Sequence, residues 1–545
     1  MTRRDKIIVL ALIGLLIVTS AVAVATDRGE GSVEPAFGGV YVEGVAGVPQ
    51  LLNPLLATTN VDQDVARLAF AGLTRFDRQG SLVPDLALSF HIGSDGKTWT
   101  FEIRPDAYWH DGQAVTADDI VYTVGLVQDR AYTGPFGEAF RGVTVQRVNN
   151  RSVRFVLPDV FGRFAESTTL PLLPAHILGH VRYADLAKQP FNLRPIGSGP
   201  FRVAEVDTRQ VVLMRHDRFH RVQPARSRPY LDKVILRSYR DSSEALVALA
   251  RNEIDGVGGL NSVDAERART LKNVDLYSLP TNDFTAAFMN VRADKPYFRD
   301  RSVRQAVATA IDRGRVLQVA ADGRGHVADE FVPSTSWAYT REIQRYTYSQ
   351  AAARASLDDA GWRDSDGDGV RDKGGVVLKF AVTTSDEPAR IAAAQQIAGD
   401  LTAVGMSVTV RTVAFAELVD KVARERSFDM LVVGITTGAD PDPYAFFHSS
   451  QSRDPGFNFS GYSTLPMDRS LETARRTYEQ EKRRELYAAV FQQIATEVPV
   501  VFLYFADYLY AQNRSVKGLK IAPVSDPTAR FWDVEDWYVK TVPRR

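Results

Sequence analysis

Two hydrophobic periods divide the chain. From about residue 38, short runs alternate apolar with polar positions and end in turn residues: GGVYVEGV, KTWTFEIRP, SVRFVLP, PFRVAEV, RQVVLMRH and DKVILRSY. A period of two, rich in β-branched and aromatic side chains, predicts strands. Other segments keep the helical period. In DSSEALVALARNEID, Asp241 is the expected N-cap, Glu244 stands at the third helical position, and Leu246, Leu249 and Ala250 form the apolar face. SVRQAVATAIDR predicts a helix that buries Val303, Ala306, Val307, Ala310 and Ile311. PARIAAAQQIAGDLTAVG opens on a proline, sets Ile391, Ala394, Ala398 and Leu401 on one side, and stops at Gly405, with the strand pattern MSVTVRTV directly behind it. From residue 302 onward strands and helices alternate, which predicts α/β lobes built around mixed sheets.

The stretch YWHDGQAVTADDIVYT (108–123) concentrates a histidine and three acids. Local physics reads it as a strand end, a turn at Asp111-Gly112 and a helix start. Thr116 is the expected N-cap, Asp118 and Asp119 suit the positive end of the helix dipole, and Ile120, Val121 and Val124 begin the buried face.

The N-terminus is patterned differently. MTRRDK is basic, and the uncharged IIVLALIGLLIVTSAVAVA (7–25) follows. As a helix it reaches about 28 Å, near the thickness of a bilayer core. Residues 1–25 therefore read as a signal peptide, with A-x-A sites at its end, or as a retained signal anchor. Either way the body lies outside the cytoplasm. Residues 26–37 read as a flexible tether.

Composition removes several chemistries. The sequence contains no cysteine, which excludes a thiol nucleophile, Cys-ligated metal, disulfides and a lipidated N-terminal Cys. Lys+Arg and Asp+Glu balance at 66 each, so charge gives no reason to expect nucleic acid. There is no G-x-S-x-G elbow and no H-E-x-x-H. A glycosidase-like secreted hydrolase stays open as an alternative, because paired carboxylates meet in space rather than in sequence. A membrane-anchored ligand-sensing module is the other.

Two patterns imitate metal sites. DSDGDGVRD places Asp364, Asp366 and Asp368 at the first, third and fifth positions of a calcium loop and Gly369 at the sixth, but the twelfth is Gly375 rather than a bidentate Glu. His176/His180 and His216/His220 are each four apart, yet two imidazoles leave a site incomplete. No metal or cofactor is expected.

Several segments, in order, resemble the family 5 extracellular solute-binding proteins of ABC importers, the oligopeptide-, dipeptide- and nickel-binding type. Besides 108–123 they include LLNPLL (51–56), AGLTRFD (71–77), LPLLPAHIL (170–178), PIGSGPFRV (195–203) and PYLDKVILR (229–237). FMNVRADKPYFRDRSVRQAVATAIDR (288–313), ASLDDAGWRDSDGDGVRD (355–372), FDMLVVGITTGADPDPYAFF (428–447) and RRELYAAVFQQIATEVPVVFLY (483–504) continue the series. The resemblance implies an α/β, two-lobed periplasmic-binding-protein type II-like fold with mixed sheets, two hinge crossings and an extra subdomain on lobe I. Carried onto this chain, lobe I is 38–75, 195–284 and 502–545, the extra subdomain is 76–194, and lobe II is 285–501. The crossings then fall near TAAFMNV and VPVVFLY.

It further implies a non-enzymatic, monomeric receptor that captures a peptide-like or other small polar solute between its lobes and presents it to ABC permease subunits, without nucleic acid. The ligand-facing segment is expected at 436–450, offering Thr436, Thr437, Asp440 and Asp442. Peptide binders place an acid where this chain has Ala439 and a tryptophan where it has Ile435; either Asp440 substitutes by a one-residue shift, or Asp440 and Asp442 only shape a proline turn. Matching segments add Asn53, Asn60, the Gly197-Ser198-Gly199 loop, Trp337 and Tyr504 as cleft candidates.

Overall fold

The computed structural model describes residues 33–543 except 78–79, 222–226, 439 and 525. The expected signal or anchor over 1–25 lies outside these residues, as does the tether up to 32. The rest of the tether is corrected: Val33–Ala36 is a strand paired antiparallel with Lys540–Pro543. Among the described residues no helix is long and apolar enough to cross a membrane.

Strand formation follows the alternating runs. A seven-stranded mixed sheet has the order 274–279, 508–513, 256–258, 40–46, 233–239, 210–215, 201–206. Its centre, Val40–Ala46, runs parallel to Lys233–Tyr239 and to Gly256–Gly258. A six-stranded mixed sheet has the order 325–327, 500–506, 284–289, 430–435, 379–385, 407–413. Its central strand, Phe284–Met289, is apolar throughout but for Thr285, because both faces are covered. Alternation sends Ala287 and Met289 into one core and Phe284, Ala286 and Phe288 into the other. Full burial of such a phenylalanine contributes roughly 1.5–3 kcal/mol. A third sheet, antiparallel in the order 87–92, 98–103, 152–156, 144–149, shares a continuous core with the seven-stranded one.

The helices take their expected places. Arg301–Ala310 buries Val303, Ala306, Val307 and Ala310, and Ile311 at its C-cap is buried too. Pro388–Thr402 starts on its proline, ends before Gly405 at φ +90°, and connects the parallel strands Lys379–Ser385 and Ser407–Val413. In Ser242–Ala250 the cap is Asp241, which accepts from the Glu244 amide at 2.8 Å, but Ala250 is exposed.

The crossings sit beside the expected segments rather than in them. The chain leaves the seven-stranded sheet after Leu279 and enters the six-stranded sheet at Phe284; it returns between Ala506 and Tyr508. TAAFMNV and VPVVFLY supply buried strands of the second lobe, so the boundary drawn at residue 502 moves to Asp507. The reason is that VVFLYFA (500–506) is one unbroken apolar strand and Asp507 is its first charged residue. Thr281 Oγ1 donates to the Ala506 carbonyl at 2.6 Å and Ser278 Oγ to Asp507 Oδ2 at 2.6 Å, which ties the two crossings together.

Candidate ligand cleft

Beside the crossings the second lobe carries a cavity of about 170 Å³. Asp283 comes from the first crossing, Arg390 and Glu387 from the start of the helix Pro388–Thr402, and Thr436 from the end of the strand Met430–Ile435. Phe415, 63% exposed, supplies a free aromatic face. Arg390 is held rigidly: its Nη1 donates to Tyr504 Oη at 2.9 Å and to Thr285 Oγ1 at 2.5 Å. The guanidinium lies over Gly434, where a Cβ would meet Nη2 at 2.3 Å, so this glycine makes room for it. Burial pushes the Asp283 carboxyl up to about 6, against a hydrogen bond from Thr436, and its Oδ1 is buried without a hydrogen-bond partner. Fixed cation, acids and exposed ring together suit a polar or zwitterionic solute with an apolar part.

The segment that follows Thr436 carries two acids into a cluster of buried charge. Asp440 pairs with Arg163 at 3.0 Å and with Arg483; Asp442 pairs with Arg163 at 3.3 Å and with Arg475 at 2.7 Å. Both carboxylate side chains are 1% exposed. Burial opposes ionisation of Asp440, but Arg163 and Arg483 outweigh it and hold its carboxyl below the ordinary value. Glu166 is pushed well up by burial and by the neighbouring Asp440 charge, against its contacts with Arg163 at 3.2 Å and Arg483 at 3.8 Å. Trp337 is half-buried here, its ring 5.9 Å from that of Tyr487 and under the Arg483 guanidinium.

Of the residues singled out in the sequence, Thr436 lines the cavity and the others are placed elsewhere. Thr437 donates to the Asn282 carbonyl at 2.9 Å, fastening the segment to the first crossing; Ala439 lies outside the described residues. Asp440 and Asp442 are taken by arginines. Tyr504 is 1% exposed, so it positions Arg390 rather than offering a flat face. Asn53 is fully buried, bonded to Asn192 at 3.1 Å and to the Leu55 amide at 3.0 Å, and Asn60 is an exposed residue opening a helix capped by Thr59.

The Gly197-Ser198-Gly199 loop is corrected as well. Two of its amides are engaged within the protein: Gly197 N–H donates to His110 Nδ1 at 3.1 Å and Gly199 N–H to the Ala69 carbonyl at 2.8 Å. A Cβ on Gly197 would come 1.8 Å from the Ala69 oxygen, so the glycine serves close packing. His110 Nε2 and His216 Nδ1 both donate to the Gly199 carbonyl at 3.1 Å. Burial, reinforced by His216, brings His110 down to about 3, so the ring is neutral. The stretch 108–123 thus joins its helix to this loop. Asp119 accepts from the Thr116 amide at 2.7 Å, as a helix start requires, and from Ala175 at 2.7 Å.

The imitation metal sites resolve plainly. His176 pairs with Asp111 at 2.7 Å and His220 with Asp85 at 2.6 Å, so neither histidine pair converges. Asp364, Asp366 and Asp368 gather on the surface, with Asp364 accepting from the Gly367 and Gly369 amides.

Missed in the sequence were Arg163, Glu166, Arg475 and Arg483 around the acids, and Asp283, Arg390 and Phe415 around the cavity. Arg390 carried a usable signal, a lone cation in the alanine-rich PARIAAAQQ. Arg163, in DVFGRFAES, carried none.

Two lobes carrying mixed sheets, crossed twice by the chain, with a cavity beside the crossings, define a clamshell solute-binding protein. Residues 81–458 match the family described as "Bacterial extracellular solute-binding proteins, family 5 Middle", and the chain belongs to this family, the solute-binding components of ABC importers. It is 30% identical over 519 residues to the oligopeptide-binding protein AppA of Bacillus subtilis, covering 93% of this chain and 92% of that one. AppA's structure in complex with a nonapeptide superposes with TM-score 0.70, covering 93% of this chain and all of that one at 28% identity. NikZ from Campylobacter jejuni, in complex with Ni(L-His), superposes with TM-score 0.71 at 25% identity over 92% of this chain and 99% of its own. The family is extracytoplasmic.

Proposed function

We propose that this protein captures a peptide-like or other small polar solute in the cavity beside its crossings and hands it, unchanged, to an ABC permease. The observation that carries this reading is the pairing of Arg390, immobilised by Tyr504 and Thr285, with the buried, unpartnered oxygen of Asp283 in one cavity. A fixed guanidinium selects a carboxylate, and a desolvated acid selects an ammonium that ionises it. AppA's binding of a nonapeptide supports a peptide as the solute. The lobes are 38–75, 195–283 and 507–545 against 284–506, with 76–194 appended to the first, and the receptor works as a monomer, secreted or held by its N-terminal helix. Solute that touches both lobes stabilises the closed form, because only differential affinity shifts the two populations.

Native mass spectrometry of protein purified without denaturation tests this, followed by thermal-shift titration with defined peptides of two to nine residues. A retained or stabilising peptide is expected, released unhydrolysed, and Arg390→Gln lowers its affinity at least about tenfold, the loss of a charged hydrogen bond. Failure of every peptide and free amino acid to raise the melting temperature, with no small polar solute retained in the native spectrum, would overturn the reading.

A further inference from the structure

Arg163 belongs to the first lobe. Its neighbour Phe164 is fully buried in that lobe's core, and the adjacent Thr168 bonds Thr74 at 2.8 Å. Asp440, Asp442, Arg475 and Arg483 all belong to the second. We propose that Arg163 is a latch that joins the lobes without solute, so that Asp440 and Asp442 close the molecule instead of receiving a solute's cationic end.

Three observations carry it. The guanidinium reaches both carboxylates, whose side chains are almost wholly removed from water, so the contact is an interior one. The backbones meet at the same place: Gly162 N–H donates to the Arg475 carbonyl at 2.7 Å, and a Cβ on Gly162 would come 1.8 Å from the Thr477 oxygen. Each acid also keeps an arginine of its own lobe, Arg483 for Asp440 and Arg475 for Asp442. The second lobe is therefore electrostatically complete without Arg163, and opening leaves no acid stranded. Arg324–Glu266 also crosses between lobes, but Glu266 is 59% exposed, and pairs of that kind contribute little.

Separation of the lobes returns Arg163 and the two acids to water, where salt screens them. High salt thus favours the open form chiefly through this contact, the exposed pairs Arg324–Glu266 and Arg476–Asp159 adding little.

The test is small-angle scattering on protein freed of carried-over solute, comparing the unmodified chain, Arg163→Gln and Gly162→Val at low and high sodium chloride. The unmodified protein is expected to be compact in low salt and to expand in high salt. Arg163→Gln is expected to be expanded at both, and Gly162→Val expanded by wedging with its charges intact; unchanged near-UV circular dichroism shows that each lobe remains folded. An Arg163→Gln radius of gyration equal to that of the unmodified protein at both salts overturns the latch. So does expansion by Gly162→Val alone, which would assign the contact to packing rather than charge.

Discussion

Two arginines held by buried carboxylates sit in nearly the same chemistry and do different physical work. Arg530 donates to Asp64 through both terminal nitrogens, at 2.8 and 2.5 Å, and to Glu43 at 2.9 Å, with all three side chains at most 4% exposed. It joins the strand Val40–Ala46, the helix Asn60–Ala69 and the segment Pro527–Phe531, all inside the first lobe. Arg163 is likewise bracketed by two buried carboxylates, but these lie on the other lobe. A guanidinium within one rigid body loses its partners only when that body unfolds. One between bodies loses them when the lobes pivot. Burial and pairing therefore do not by themselves mark a stability element; which bodies are joined decides.

The largest effect expected from this contrast is at Arg530. Arg530→Ala leaves Glu43 and Asp64 buried without a cation, and uncompensated buried charge costs about 3–5 kcal/mol. Chemical denaturation should show a loss of that size in the first lobe's unfolding transition. A loss below about 1 kcal/mol would remove the distinction between the two clusters.

A buried acid whose desolvation outweighs the nearby Arg345 charge sharpens the comparison through pH. Glu330 in the second lobe is 2% exposed; its Oε1 accepts from the Thr340 amide at 3.2 Å and its Oε2 has no hydrogen-bond partner. Burial pushes its carboxyl from the ordinary 4.5 to about 8. The native state therefore keeps a proton that the unfolded chain releases. Stability from this group is full below pH 4.5 and is lost as the pH rises towards 8, at up to about 1.4 kcal/mol per pH unit. Glu330→Gln should flatten the denaturation midpoint's fall over that range; an unchanged slope would place the proton elsewhere.

Much of the fold was legible because its signals are local. The face of the helix 301–310 is written in Val303, Ala306, Val307 and Ala310, and its proline and glycine bound the helix 388–402. The family followed from segments in order. The cavity was not legible, since Asp283, Arg390 and Phe415 come from three separate segments that meet only in the folded lobe. Asp440 looked available for the same reason: its partner Arg163 is distant in sequence and stands in no motif. The glycine loop misled in another way, because Gly197 and Gly199 permit close approach of the backbone, and what approaches is the Ala69 turn rather than a ligand.

The smallest effect is the one that separates the two arginines most cleanly. Arg163→Gln should change the unfolding free energy of either lobe by less than about 1 kcal/mol, the scale of a pair whose loss strands no charge. Asp442 retains Arg475 at 2.7 Å, and Asp440 retains Arg483, which also donates to Tyr487 at 3.1 Å. On the first lobe the glutamine removes the Arg163 partner of Glu166 at 3.2 Å, but burial already disfavours the charged form of that carboxyl. Calorimetric transitions of the two lobes, measured on the variant and the unmodified chain at the same pH, should therefore coincide within that margin while the molecule's dimensions differ. A destabilisation as large as that of Arg530→Ala would make Arg163 a structural ion of the same kind, and the difference drawn here between joining parts of a body and joining two bodies would fail.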